Sequence, residues 1–169
     1  MRTRNAIIGL AIIAVVGGWY AFRPERLFVN QTVNESLDTT SAMAAGGTAP
    51  AAAAAPMTLA MGRFHSNAHD TRGSATVLDL GAGHRVLRLT NFATSNGPDV
   101  RVYLVAAPDV QDNATVKTAG FVELGPMKGN IGDQNYEIPS TVDLATYRTV
   151  TIWCKRFSVN FGSAPLAKS

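Results

Sequence analysis

From about Thr58 onward, several short runs carry apolar residues at every second position, and no long helical repeat competes with that pattern. Leu87 and Leu89 alternate with Arg88 and Thr90. Val100, Val102 and Leu104 alternate with Arg101 and Tyr103. Val150, Ile152 and Cys154 alternate with Thr151 and Trp153, and Phe157, Val159 and Phe161 alternate with Ser158 and Asn160. Successive side chains of a strand point to opposite faces, so each run turns one face into a core. Turn residues divide the runs: Gly81-Ala82-Gly83, Asn96-Gly97-Pro98-Asp99, Gly125, Gly129, Gly132 and Gly162. Short strands at this spacing predict a mainly β fold, a small antiparallel sandwich or barrel. The apolar positions are even-numbered through Cys154 and odd-numbered from Phe157. A bulge or tight turn near Lys155-Arg156 is therefore expected, with Cys154 on the inward face beside it.

A different texture precedes the strands. Ala6 to Phe22 contains no charged residue, and Trp19, Tyr20 and Phe22 gather at its far end. As a helix this run rises about 25 Å, against a hydrocarbon core of about 30 Å. Aromatic rings suit the membrane interface, and Arg23-Pro24 ends the helix. Trp19-Tyr20-Ala21-Phe22 is a poor cleavage site, and no cysteine follows the run to carry a lipid. Residues 1–26 are thus expected to be a signal anchor, one transmembrane helix with a cytoplasmic N-terminus. The rest of the chain is expected to be extracytoplasmic, in the periplasm or outside the cell. Residues 27–57 read as a juxtamembrane segment followed by a flexible tether, because Ser41 to Pro56 is almost all Ala, Gly, Thr and Pro. Leu27 to Glu35 has the composition to be ordered near the membrane. Residues 58–169 are expected to be the β domain.

The formal net charge is +3. Four of the 15 basic residues (Arg2, Arg4, Arg23, Arg26) and one of the 12 acidic ones (Glu25) precede residue 27, which leaves 11 of each sign in the remainder. The basicity belongs to the anchor. No basic stripe with interleaved aromatics is present, so no nucleic-acid partner is expected.

The chain from about Met61 to Leu166 resembles DM13 domains. The resemblance is carried by Thr149-Val150-Thr151-Ile152-Trp153-Cys154-Lys155-Arg156-Phe157 and by Asn96-Gly97-Pro98-Asp99-Val100-Arg101-Val102-Tyr103-Leu104. Gly62-Arg63-Phe64, His69-Asp70-Thr71-Arg72-Gly73, Leu124-Gly125-Pro126-Met127-Lys128-Gly129 and Gln134-Asn135-Tyr136-Glu137-Ile138-Pro139 follow the family in order. The resemblance implies an extracytoplasmic β-rich module, found alone behind a membrane anchor in bacteria and beside DOMON domains in animals. It further implies a proposed electron-transfer role centred on the cysteine, acting as a thiol or as a ligand to a haem or other prosthetic group. His69 stands where the family often has a histidine, which makes it a candidate partner of Cys154 in holding a cofactor.

Each candidate has a plainer reading. Cys154 is the chain's one cysteine, so no intrachain disulfide can form. It is either a redox thiol or ligand, or a small buried hydrophobe on a strand. His69 is a cofactor ligand or an ordinary loop histidine. Asp99, after Gly97-Pro98, binds a cation or caps its turn. Asp99 and Trp153 are the candidates for a binding loop. Met57, Met61 and Met127 are soft donors or packing residues, and no Cys-x-x-Cys-His sequence is present to attach haem covalently. No phosphate loop, nucleophile elbow or catalytic triad spacing appears, so a classical enzyme is not expected. Two functions remain: a membrane-tethered redox module with a redox partner protein, or an envelope module that binds a glycan or a protein through its loops.

Overall fold

A computed structural model describes residues 9–18, 29–37 and 55–169. Residues 9–18 are helical (α1). Eleven strands and a second helix follow: β1 (Thr32–Asn34), β2 (Met57–Arg63), β3 (His65–Ser66), β4 (Arg72–Asp79), β5 (Arg85–Ala93), β6 (Val100–Val105), α2 (Asn113–Thr118), β7 (Phe121–Pro126), β8 (Ile131–Ile138), β9 (Thr149–Cys154), β10 (Val159–Pro165) and β11 (Ala167–Lys168). They form two open sheets, ordered β1-β8-β5-β4-β2-β11 and β3-β10-β9-β6-β7. The sheets pack as a sandwich and do not close into a barrel. The expected period-2 runs account for β5, β6 and β9.

The inward faces meet in one apolar cluster. The first sheet contributes Val77, Leu87, Leu89, Phe92 and Tyr136, and the second contributes Val102, Leu104, Val150, Ile152, Cys154 and Phe161. Every residue of β9 is buried on both faces, which simple alternation does not predict. The outer face of the second sheet is covered by α2 and its preceding loop, where Tyr103, Val105, Ala107, Val110, Val116 and Trp153 form a second cluster. Asp112 caps α2 by accepting from the Thr115 amide at 2.7 Å. The polar members of this layer bond one another. Asn160 donates to the Val110 carbonyl and to Ser163 Oγ, and Thr151 Oγ1 lies 3.1 Å from Ser163 Oγ.

The turn expected after Cys154 is present at residues 155–158, where Ser158 adopts φ +54°. Phe157 lies in that turn and is 66% exposed, so it is not the first inward residue of β10. The register shifts again between Asn160 and Gly162, and this bulge at Phe161 lets both Phe161 and Ala164 face the core.

Among the described residues no helix is long and apolar enough to cross a membrane. The ten residues of α1 rise about 15 Å. Residues 6–8 and 19–22 of the expected spanning segment lie outside the described residues, as does most of the Ala/Pro stretch.

Within the segment expected to be ordered, β1 is a strand of the domain, paired in parallel with β8 through Thr32↔Ile131, Val33↔Gly132 and Asn34↔Asp133. Side chains reinforce it. The Gln31 amide donates to Asn130 Oδ1 at 2.7 Å, and Asn130 Nδ2 donates to Asn30 Oδ1 at 2.9 Å. Glu35 accepts from Lys128 Nζ at 2.8 Å and from the Asn135 amide at 2.7 Å. A Cβ on Gly132 would lie 2.1 Å from the Val33 carbonyl oxygen, so glycine is required for this approach. A strand ahead of residue 58 thus joins the sandwich. β1 and β2 are strands of one sheet, and residues 38–54 between them lie outside the described residues.

Candidate functional site

The pairings give every strand a common polarity between two ends of the sandwich. At one end lie the starts of β1, β4, β6, β8 and β10 and the finishes of β2, β5, β7 and β9. This is the proximal end, where the chain arrives from residue 29. The 80–84 turn lies at the other, distal end. The loops between strands bring Cys154, His69 and Asp99 together at the proximal end, although they are far apart in sequence.

Cys154 is the last residue of β9, flanked across strands by Val100 of β6 and Val159 of β10. It is 1% exposed, belongs to the core cluster, and its sulfur makes no hydrogen bond among the described residues. The turn that follows it is tied to the loop before β6, because the Lys155 amide donates to the Asp99 carbonyl at 2.8 Å.

His69 is not bonded to Cys154. Its ring packs on Phe161 with centroids 3.9 Å apart, and its amide donates to the Phe161 carbonyl at 3.2 Å. Phe161 belongs to the same core cluster as Cys154. From the other loop, a Cβ on Gly97 would lie 3.0 Å from Phe161 Cζ and 2.7 Å from Val100 Cγ2. The 96–99 loop can rest on this ring only with glycine at that position.

Asp99 is held as a partner of a cation. Arg101 Nε donates to its carboxylate at 2.6 Å, while Arg101 Nη1 and Lys155 Nζ reach Glu123 at 2.9 and 3.3 Å. The hydrogen bond to Asp99 dominates in raising the Arg101 pKa, despite some burial. Tyr103 donates to Glu123 at 3.4 Å, and burial together with the Glu123 charge pushes its hydroxyl up to about 12. Tyr103 stacks on Phe121 at 4.3 Å and lies 6.4 Å from Trp153. Trp153, expected on a binding loop, is in strand β9 at 5% exposure under α2. It is a packing residue, because α2 closes over the sheet face that alternation would leave open.

Among the described residues no group of three or more His, Cys, Asp or Glu side chains is disposed to hold a metal. With the sulfur 1% exposed between Val100 and Val159, and His69 engaged with Phe161, the residues as arranged do not fit a haem or metal centre. Native Cys154 is expected to resist an alkylating thiol reagent and to react fully in denaturant, as read by mass spectrometry. Fast native labelling would contradict its burial.

The family model described as Electron transfer DM13 matches residues 63–166, more than half of the chain. The chain belongs to the DM13 family. No curated protein and no solved structure matches it. The DM13 match covers the sandwich from the end of β2 to the end of β10 and carries a general electron-transfer reading for this protein. It leaves out β1, the strand by which the N-terminal segment joins the domain.

Sequence reasoning missed three features of this DM13 domain. Glu35 is an anchoring carboxylate. His65 pairs with Asp109 at 2.9 Å, whose pKa burial raises but the bonds from Gln111, His65 and the Val110 amide lower on balance. Asn160 organises the layer under α2. Only the first left a trace, since Gly129 and Gly132 mark places where another backbone comes close.

Proposed function

We propose that this DM13 protein is a membrane-tethered, extracytoplasmic redox module of the single-domain bacterial type, with Cys154 as its redox group. The observation that supports this most is the address of Cys154. It is the final residue of a core strand and is followed directly by an exposed turn at the proximal end. The thiolate of a lone cysteine exchanges with a disulfide supplied by a partner: its sulfur bonds to one partner sulfur, the partner's S–S bond breaks, and the other partner sulfur leaves as a thiolate. Cys154 gives its proton to solvent, the leaving thiolate takes one up, and a mixed disulfide between the two proteins is the product. The sulfur is buried at rest, so displacement of the 155–158 turn is the step that admits the partner. The charge-free run from Ala6 to Phe22, with arginines before it, supports the tether and the orientation.

A second reading has an observation of its own. The apolar surroundings of Cys154 suit a packing residue, which favours a non-enzymatic envelope module that binds a protein or glycan through the proximal loops.

Full-length protein in vesicles, equilibrated at stepped potentials with redox mediators and a glutathione thiol–disulfide pair standing in for the partner, tests between them. Reversible exchange of electrons is expected, and Cys154→Ser is expected to abolish it while the circular dichroism spectrum persists. Equal exchange by the variant would remove the cysteine from the role. No exchange by either protein would leave the binding module.

A further inference from the structure

The chain enters the sandwich at the end that also carries its most exposed apolar ring. Val29 is 62% exposed, and its carbonyl accepts from Asn96 Nδ2 at 3.0 Å. Asn96 lies in the loop whose Asp99 carbonyl receives the Lys155 amide. The arriving chain, the 94–99 loop and the 155–158 turn therefore form one continuous rim. On that turn Lys155, Arg156 and Phe157 are all exposed. Phe157, at 66%, is more exposed than any other large apolar side chain of residues 55–169.

A single exposed phenylalanine is ordinary on a protein surface. Its neighbours and its place in the chain make this one informative. Arg156 has no ion-pair partner among the described residues, whereas two acids of the rim are already engaged: Asp99 by Arg101, and Glu123 by Arg101 and Lys155. Asp70 follows the 67–69 segment, whose amides donate to the carbonyls of Asn160 and Phe161. The edge of the turn thus offers an aromatic ring beside cationic groups, the composition of a bilayer-interface contact. Distance agrees with this. Only residues 23–28 separate the charge-free run from Val29, and that length of chain spans at most about 21 Å. The headgroup layer fills about 5–8 Å of that distance. Because β1 is fastened to β8, chain beyond β1 adds nothing to this reach.

We propose that the 155–158 turn is a membrane-contact tip. Phe157 seats in the interfacial layer, and Arg156 with Lys155 meets anionic lipid headgroups of the same membrane that holds the N-terminal segment. The inference rests on the tethered reading above. It turns the Cys154 end of the sandwich toward the bilayer.

The test uses the full chain in vesicles of phosphatidylcholine and phosphatidylglycerol, with a nitroxide on Phe157→Cys and, in a second sample, on Ala82→Cys in the distal turn. Buried Cys154 does not compete for the label. Position 157 is expected to collide several-fold less often with a water-soluble nickel complex than position 82, and more often with oxygen. Adding Arg156→Glu is expected to raise the nickel collisions at 157. If the protein floats with the vesicles while both labels are equally aqueous, the contact tip is overturned and the tether stands; the rim would then serve a protein partner. If the protein does not float with the vesicles, the tether falls and the inference falls with it.

Discussion

Trp153→Ala is expected to destabilise the domain by about 3–5 kcal/mol, the usual cost of deleting a large buried aromatic side chain. Trp153 is 5% exposed and packs with Tyr103, Val105, Val110 and Val116 between β9 and α2. Its removal opens a cavity that the six-residue α2 cannot fill, because Asn160 and Asn113 hold the layer in position through the 2.7 Å bond from the Asn160 amide. Against a total stability of about 5–15 kcal/mol, the loss is a large share. Chemical denaturation should record it, and α2 amides should lose hydrogen-exchange protection first. If Trp153 were a binding-loop residue, the variant would keep its denaturation midpoint and lose only a ligand. Cys154→Ser is the milder neighbour, at about 1–3 kcal/mol for a buried hydroxyl without a partner.

Gly132→Val is expected to release β1. Gly132 has φ +104°, and its Cβ would meet the Val33 carbonyl at 2.1 Å, so the variant strains its own backbone and blocks the paired strand. A residue forced into such a conformation costs about 1–3 kcal/mol before any lost pairing is counted. The bonds from the Ile131 amide to Gln31 and from the Glu35 amide to Asp133 go with it. Residues 29–37 should become open to proteolysis and fast amide exchange while β5, β6 and β9 stay protected. Unchanged protection of 29–37 would refute the account of Gly132.

Acid should loosen the same strand more gently. Burial raises the Glu35 carboxyl, but the Lys128 bond, the Asn135 amide and the charges of Lys128 and Arg88 lower it by more. A carboxylate with a depressed folded-state pKa stabilises fully above its unfolded value, about 4.3, and the contribution disappears as pH falls through the folded value. Docking should therefore weaken below about pH 4, by no more than about 1 kcal/mol for so exposed a pair. Glu35→Gln should remove that pH dependence.

The readable parts of this protein are the local ones. Strand alternation is a property of neighbours two residues apart, so β5, β6 and β9 and the inward direction of Cys154 follow from reading along the chain. The parity change after Cys154 likewise calls for the 155–158 turn, though not for the second shift at Phe161. The DM13 family was legible in the Trp-Cys-Lys and Gly-Pro-Asp segments, and the model match covers those residues.

Tertiary structure decided what depends on residues far apart in sequence. Thr32 pairs with Ile131, and Glu35 meets Lys128. No local pattern marks a partner so distant, and only glycines at 129 and 132 hint that a backbone must pass. That pairing brings a strand N-terminal to the Ala/Pro stretch into the same sheet as β2. Trp153 and Cys154 show the same division. Alternation sends them to opposite faces, and it holds. Whether the outer face meets water or a helix depends on where α2 closes, because burial is a property of the whole surface and not of the strand.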